Sequence, residues 1–437
     1  MEAYFSPNDQ RFMADTDSGS IQNAVDAASK SEFARTVRIP KLCARTGKPE
    51  WIIEKAILLP SNITIILDDC HLILKEGIYD NIFRNENMYN EQLLNDEGEQ
   101  HEIRIIGFGN AVLDGGKGND LREATSEKDG RPHVRFNNFI LLNNVRDIVL
   151  ENFKCINMRW WAINLIACRK GKISDIRFHN GTRIPNQDGI DLRIGCHEFI
   201  IENITGQTGD DVVAMTALPL CSDKNFLPKG RLPDIHDITV RNVRAHTNET
   251  LVAMRNCDGA KLYRISVENV MVTEGDYDNW AAVRVGENNY FVKRPPIMGE
   301  TYDIKINGVY SLQKGTVYLG GCIKNVHISN VFAGGKTLYA ISTYLPTIVF
   351  PENGCSITGG ASLENVVIDN VFYEGTAEYS KDGWVNDVDD DEFSGCALDF
   401  RCMRETDTLK NVVFRNIFAR DGAEIARVHD GFKLDIK

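Results

Sequence analysis

The chain has 437 residues and a formal net charge of −13, which argues against a nucleic-acid partner because phosphate binding needs a dense basic face. Hydrophobic content of 43% is that of a soluble globular protein, and no apolar run reaches the roughly 20 residues needed to span a membrane, so we expect no membrane partner. The 11 cysteines form no Cys-x-x-Cys pair and no secretory signal is visible, so we expect no metal, no cofactor and a reducing, cytoplasmic compartment.

A capping helix is predicted first along the chain. Ser20 is a plausible N-cap for it. The apolar residues on one face of this helix are Ile21, Ala24, Val25 and Ala28. We expect residues 1–35 to form an N-terminal extension whose helix protects the first strand edge.

A repeated pattern dominates the rest of the chain: alternating β-branched residues, then asparagine, then another apolar residue. Its asparagines are Asn152, Asn180, Asn203, Asn242, Asn269, Asn330, Asn370 and Asn416, with an imperfect copy at Asn307. The shortest intervals, such as that from Asn180 to Asn203, are 23 residues, which suits one coil of three short strands. The pattern predicts an all-β protein, a right-handed, single-stranded parallel β-helix forming one domain over 1–437. A β-sandwich or propeller is the alternative.

Inserted loops rich in proline, glycine and charge are expected between the coils. Their positions are 117–132, 219–233, 286–300, 343–358 and 376–396. Long loops in a solenoid usually gather around a binding face, and these loops are long enough to wall off one end of a groove.

The asparagine ladder predicts which side chains stack. Counting eight residues on from successive corners gives Trp160, Asp188, Asp211 and, further along, Tyr277. Counting seven from Asn203 gives Asp210. Asp188 and Asp211 then lie on adjacent coils, about 4.8 Å apart along the axis. Three carboxylates are therefore predicted to share one patch.

Carboxylates held close together favour glycoside hydrolysis. Repulsion between like charges raises at least one pKa, so one carboxyl stays protonated as a general acid while another acts as a base. The acid protonates the leaving oxygen and the base activates water. A calcium site or ordinary acidic turns are the alternative, since Asn186-Gln187-Asp188-Gly189-Ile190-Asp191 contains an Asp-Gly turn.

Two short motifs resemble those of the polygalacturonase group, glycoside hydrolase family 28. The segment 186–191 resembles that family's Asn-Thr-Asp-Gly-x-Asp, and Gly209-Asp210-Asp211 matches its Gly-Asp-Asp. The resemblance implies a pectin-lyase-like solenoid in which Asp210 is the general acid, while Asp188 and Asp211 hold and deprotonate the attacking water. Direct attack by water implies inversion at the anomeric carbon.

The sequence departs from the family at two further motifs. Asn248-Glu249-Thr250 stands where the family has Gly-His-Gly, although His246 lies nearby, and the family's Arg-Ile-Lys appears as Arg284-Val285-Gly286. An arginine still allows bidentate binding of a sugar carboxylate. The predicted substrate-binding residues are Asn186, Glu249, Arg284, Arg255, Trp160 and Tyr277, with the aromatic side chains stacking on sugar rings.

These patterns predict an inverting glycoside hydrolase that cleaves a pectin-type or related plant oligosaccharide or polysaccharide from the chain end. The carbohydrate is the expected partner, and the oligomeric state is left open. Two alternatives are a non-catalytic carbohydrate-binding β-helix, favoured by the missing histidine and lysine, and a polysaccharide lyase or transferase on the same scaffold.

Overall fold

The computed structural model describes residues 4–117, 137–180, 186–219, 225–275, 279–286, 294–343, 348–350, 355–357, 359–377 and 395–437. The chain forms two compact units. The first unit comprises Met1–Gly209 and Ser222–Leu232, and the second comprises Asp210–Cys221 and Pro233–Lys437. The single domain over 1–437 stays a prediction. Within the described ranges, no helix is long and apolar enough to cross a membrane.

The helix α1 spans Asp17–Ser29, which confirms the helix predicted near the N-terminus. Its N-cap is Thr16 and not Ser20: the Thr16 hydroxyl accepts a hydrogen bond from the Gly19 N–H at 3.0 Å. Ser20 lies inside the first turn and donates its hydroxyl to the Thr16 carbonyl. The predicted apolar face is fully buried and packs on the first strands of the chain. The residues of this face are Ile21, Ala24, Val25 and Ala28.

Short strands make up the rest of the first unit. They are β1 (Thr36–Pro40), β2 (Trp51–Ile53), β3 (Ile57–Leu59), β4 (Ile63–Asp68), β5 (His71–Leu74), β6 (Phe83–Asn85), β7 (Gln100–Phe108), β8 (Val112–Asp114), β9 (Ile140–Asn143), β10 (Val145–Glu151), β11 (Lys154–Ile156), β12 (Ile163–Ile166), β13 (Arg169–Ser174), β14 (Arg177–His179), β15 (Ile190–Arg193) and β16 (His197–Gln207). A short 3₁₀ helix, Glu91–Leu93, lies between β6 and β7. Strands β3, β6, β9, β12 and β15 form the second sheet of this unit, and the others form its first sheet.

The second unit repeats this arrangement. Its strands are β17 (Val213–Ala217), β18 (Ile235–His246), β19 (Thr250–Asn256), β20 (Leu262–Val272), β21 (Ala281–Val285), β22 (Thr301–Ser311), β23 (Val317–Leu319), β24 (Gly321–Ala333), β25 (Tyr339–Ser342), β26 (Ile348–Phe350), β27 (Cys355–Ile357), β28 (Ala361–Tyr373), β29 (Cys396–Phe400), β30 (Leu409–Ala419) and β31 (Glu424–Val428). Strands β18, β20, β22, β24, β28 and β30 form its first sheet, and β17, β19, β21, β23, β25, β29 and β31 form its second. Strands β26 and β27 pair as an antiparallel hairpin.

In each unit the chain alternates between the two sheets, and strands from successive coils pair in parallel. Side chains at matching positions therefore stack, and the inward set forms the core. In one such column of the second unit, every residue is at most 1% exposed. It consists of Val240, Val267, Ile306, Ile328, Ile368 and Phe414. The predicted parallel β-helix is confirmed.

The ladder asparagines lie in the left-handed backbone region. Asn203, Asn242 and Asn269 have φ of 58°, 56° and 56°, a conformation that asparagine tolerates better than most residues. The Asn269 amide also donates to the Asn242 side-chain oxygen at 3.1 Å. Asparagine therefore recurs because it both allows the corner and bonds to the next coil.

One predicted position of the asparagine ladder, Asn180, was wrong. The corner between Asn152 and Asn203 is Asp175, with φ of 57°, whose carboxylate accepts the Asn203 amide at 3.1 Å across 28 residues. Asn180 is buried at the end of that coil and donates its amide to the Gln187 side chain. The interval of 23 residues from Asn180 to Asn203 is therefore not a coil length. Asp188 comes thirteen residues after its true corner, whereas Asp211 comes eight after Asn203.

Most of the predicted inserted loops lie largely outside the described residues. Residues 225–232 are described, and they pack within the first unit rather than forming an open loop. Phe226 is buried in a cluster with Met88 and Leu141, and Arg231 bonds to Glu99 at 2.8 Å.

Candidate active site

The Asn-Gln-Asp turn of the first unit is held by its own side chains and backbone. Asn186 takes a left-handed φ of 67°, and the Gln187 amide donates to the Met158 carbonyl. Asp188 follows, with its side chain 3% exposed, and its carbonyl accepts the Ala162 N–H at 2.9 Å. Asp188 is thus buried immediately before β15.

The chain links this turn to the second motif. Gly209 donates its N–H to the Gln187 carbonyl at 3.1 Å, within the first unit. Asp188 directly follows Gln187, and Asp210 directly follows Gly209. The Gly209 N–H therefore ties the end of this stretch of the first unit to the turn at Gln187.

Trp160 does not offer a ring face for stacking on a sugar. It is 1% exposed and packs against Trp161, with ring centroids 6.3 Å apart. The predicted role of Trp160 in substrate stacking is therefore wrong, because the side chain is buried as a core residue. Trp161 is also buried, and the Arg193 guanidinium lies over its ring at 4.3 Å. Arg193 was missed by the sequence reasoning, because it belongs to neither of the two arginine positions that were considered.

The face of the second sheet that points away from the core carries a polar column in the first unit. Because successive side chains of a strand alternate, Asn164 and Asp191 lie on the face opposite the core residues Ile163 and Ile190. Leu141 precedes Asn164 in this column. Leu141 belongs to an apolar cluster that covers its side chain completely. The cluster comprises Met88, Leu141, Ile166, Ala167, Ile194 and Phe226, with Leu227 packed against it. The polar column therefore ends at an apolar wall.

Two adjacent carboxylates lie in the second unit. Asp211 is 4% exposed, and its Oδ1 accepts the Thr250 N–H at 3.1 Å. The Asp211 N–H donates to Asp210 Oδ1 at 2.9 Å, and the Thr247 hydroxyl donates to the Asp210 carbonyl. Asp210 is more accessible than Asp211.

The pKa of Asp211 is raised to about 6, mainly by burial and in part by the neighbouring Asp210 charge, while Arg255 and Arg284 oppose the rise. Arg255 places its Nη2 atom 3.7 Å from Asp211 Oδ2. The pair of aspartates therefore holds a proton in mildly acidic conditions, as a site for acid–base chemistry requires.

Arg284 lies on β21 with its guanidinium packed on aromatic rings. It is 7% exposed, 4.6 Å from the centre of the Trp280 ring and 5.8 Å from that of Tyr318. Burial lowers the pKa of Arg284 to about 10, with Arg255 contributing. The structure thus brings the two predicted arginines together around Asp211. Tyr318 was missed because only the pairing of β21 with β23 places it beside Arg284.

Glu249 and His246 have different surroundings in the second unit. The Glu249 N–H donates to the Thr247 hydroxyl at 3.2 Å, its carbonyl accepts the Trp280 N–H at 2.9 Å, and its charge acts on Arg284. His246 is 1% exposed, with Nδ1 3.2 Å from the Thr273 carbonyl. The predicted substrate-binding residue Tyr277 lies outside the described residues.

The family model of glycosyl hydrolases family 28 matches residues 84–219. No curated protein matches the chain. Solved structures similar to it include the mannuronan C-5 epimerase AlgE6 A-module of Azotobacter vinelandii (13% identity, TM-score 0.59, covering 99% of this chain and 98% of that chain). Others are the family 28 exopolygalacturonase of Yersinia enterocolitica (13%, 0.56, 100% and 78%) and the surface adhesin PfbA of Streptococcus pneumoniae (10%, 0.58, 99% and 93%).

At these identities the structural likeness shows the fold alone, which an epimerase, a hydrolase and an adhesin share. The matched region contains both aspartate motifs, at 186–191 and 209–211. The resemblance noted from these motifs is confirmed: residues 84–219 of this parallel β-helix match glycosyl hydrolases family 28.

Proposed function

We propose that this chain is an inverting glycoside hydrolase that acts on a pectin-type or related plant oligosaccharide or polysaccharide. Asp211 carries the proposal, because it is buried beside Asp210, its pKa is raised to about 6, and two arginines lie beside it. The match of residues 84–219 to a hydrolase family supports it. The fold alone would not support it, because a mannuronan C-5 epimerase, which is not a hydrolase, has a similar fold.

The roles follow the motifs. Asp210 is the more accessible of the pair and is proposed to protonate the leaving oxygen of the glycosidic bond. Asp211 is fixed by the Thr250 N–H and by Arg255, and is proposed to take a proton from the attacking water, the role that the family motifs imply for Asp188 as well. Water then adds to the anomeric carbon from the face opposite the leaving group, which inverts its configuration.

The arginines suit an acidic sugar. A guanidinium binds a carboxylate through two parallel hydrogen bonds, and burial strengthens such a pair. Arg284 is buried and packs over the rings of Trp280 and Tyr318, so less side-chain entropy is lost when a carboxylate binds than for an exposed arginine. Its neighbour Arg255 adds a second positive charge on the same side of Asp211. A uronic acid unit is therefore the proposed substrate group at this position.

Cleavage from the chain end is supported by the apolar wall of the first unit. An internal segment of a polysaccharide needs a groove open at both ends. The polar column Asn164–Asp191 instead ends at Leu141, which Met88 and Phe226 cover. A substrate that lies along this column would terminate there, and we propose release of units from that end.

A non-catalytic carbohydrate-binding protein is the second candidate, because Asn248-Glu249-Thr250 replaces the histidine motif and an adhesin shares the fold. A polysaccharide lyase or transferase is the third. A lyase releases an unsaturated, ultraviolet-absorbing product, whereas a hydrolase does not. Retention of both aspartate motifs favours hydrolysis over binding alone.

Replacement of Asp210 by Asn tests the proposal. We expect turnover of pectic oligosaccharides to fall at least about a thousandfold, because a general acid is removed, with the unfolding midpoint little changed. Asp421→Asn, at an exposed turn, is the matched control and should keep full activity. NMR of the first-formed product should show the inverted anomer. Undiminished hydrolysis by the Asp210 variant would refute the assignment.

A further inference from the structure

Asn164 is a buried polar side chain whose Oδ1 atom has no hydrogen-bond partner in the part of the chain that the structure describes. It lies on β12 between Leu141 and Asp191 of the neighbouring strands and is 1% exposed. Its Oδ1 accepts no hydrogen bond within the described residues. Such an orphaned amide lowers stability unless another molecule completes it.

A second asparagine of the same sheet shows how the fold pairs a structural amide. Asn85 on β6 is also fully buried. Its Nδ2 donates to Gln100 at 2.8 Å and to the Asn143 carbonyl at 3.0 Å, and its Oδ1 accepts the Asn143 N–H at 2.9 Å. Both the Nδ2 atom and the Oδ1 atom of Asn85 therefore have hydrogen-bond partners. Asn164, two strands further along, has no comparable bonds to any residue in the described ranges.

The surroundings of Asn164 leave one direction for a partner. On one side Leu141 is sealed by the apolar cluster, which offers no hydrogen bond. On the other side stands Asp191, and beyond it Arg193 lies over Trp161. The partner must therefore come from the polar column itself, at its closed end.

We infer that Asn164 is a specificity-determining residue that binds a hydroxyl group of the terminal sugar unit, and this inference rests on the proposed function. An amide accepts at Oδ1 and donates at Nδ2, so it matches a hydroxyl, which does both. The adjacent Asp191 accepts from hydroxyls and repels a carboxylate. The terminal sugar at the closed end of the column is therefore recognised through its hydroxyls.

The test separates recognition from structure by replacing Asn164 with Leu. A side chain that serves only packing would be improved by this change, because an unpaired buried amide gives way to an apolar group of similar size. A side chain that binds substrate would leave a sugar hydroxyl unpaired. We expect kcat/KM and calorimetric affinity for pectic trisaccharides to fall about 10- to 100-fold, while the urea midpoint holds or rises.

Asn85→Leu is the matched control, because its amide is fully paired: its urea midpoint should fall while kcat/KM of the folded protein is retained. Asn164→Ala serves as the second variant if the leucine variant does not fold. A trisaccharide lacking one terminal hydroxyl should bind the wild type and Asn164→Leu with similar affinity.

The outcomes distinguish the two proposals. Unchanged affinity and kcat/KM in Asn164→Leu would overturn the role of Asn164, and turnover by the wild type would keep the hydrolase proposal standing. Binding without turnover, weakened by Asn164→Leu, would refute the hydrolase and support the role of Asn164. A wild type that neither binds nor cleaves these trisaccharides would overturn both.

Discussion

Replacing Asp211 with Asn should stabilise the protein at neutral pH at the expense of activity. Burial raises the pKa of Asp211 from 3.8 to about 6, so at pH 7.5 the wild type holds an ionised carboxylate in a site that disfavours its charge. The rise corresponds to about 3 kcal/mol of free energy of unfolding, at 1.36 kcal/mol for each factor of ten in proton affinity. Asn keeps the acceptor for the Thr250 N–H and cannot ionise.

The stability difference between Asp211→Asn and the wild type depends on pH. Because the folded pKa is raised, the contribution of Asp211 to stability is full below about pH 4 and is lost as pH rises through about 6. Asp211→Asn should therefore match the wild type near pH 4 and exceed it by up to about 3 kcal/mol at pH 7.5. Urea unfolding of both proteins, followed by tryptophan fluorescence from pH 4 to 8, measures the difference.

Asp114→Asn is the control with the opposite sign. Burial alone would raise the pKa of Asp114, but hydrogen bonds from His71 and Asn157 outweigh it and lower the pKa. The stability that Asp114 contributes is present at neutral pH and lost in acid, so its Asn variant should be weakest relative to wild type at pH 7.5. A stability difference for Asp211→Asn that stays constant with pH, or has the same sign as that of Asp114→Asn, would refute the assigned burial of Asp211.

Phe226→Ala should open the wall and shift the products from single units toward longer fragments in chromatography of pectic digests, whereas Phe418→Ala, at a ring 51% exposed, should not. A product pattern that is identical in both variants would contradict cleavage from the chain end. Asn269→Ala should lower the free energy of unfolding by about 1–2 kcal/mol, and Asn269→Gly should lower it by less. Both variants lose the hydrogen bond to the Asn242 side chain, but glycine tolerates the φ of 56° better than alanine does. Equal losses in the two variants, measured by urea unfolding, would show that the backbone conformation is not the cause.

The repeat could be recognised from the sequence because its physical cause is local. Asparagine suits a left-handed corner and bonds to the next coil, so Asn242 and Asn269 recur wherever a coil turns. The same logic failed where Asp175 replaces asparagine at a corner. The aspartate at that corner also forms the bond to the next coil. Asn180 was taken for the corner because it lies 23 residues before Asn203, which is a plausible coil length.

The chemistry of the site was predicted in part for a similar reason. Asp210 and Asp211 are adjacent in the chain, so any fold must place them together. The burial of Trp160 is different, since either face of a strand can hold a tryptophan and only packing against Trp161 decides between them.

The sequence by itself therefore determined the coiled fold and the two aspartate motifs, because both arise from residues close together in the chain or repeated at coil spacing. Tertiary structure decided what depends on distant segments. Phe226 and Arg231 pack on the first unit, although the chain on either side of their segment belongs to the second. Asn164 is flanked by Leu141 and Asp191 of neighbouring coils, and among the described residues its Oδ1 atom has no hydrogen-bond partner. Contacts of this kind are set by the geometry of packing between coils, which no local pattern of residues records.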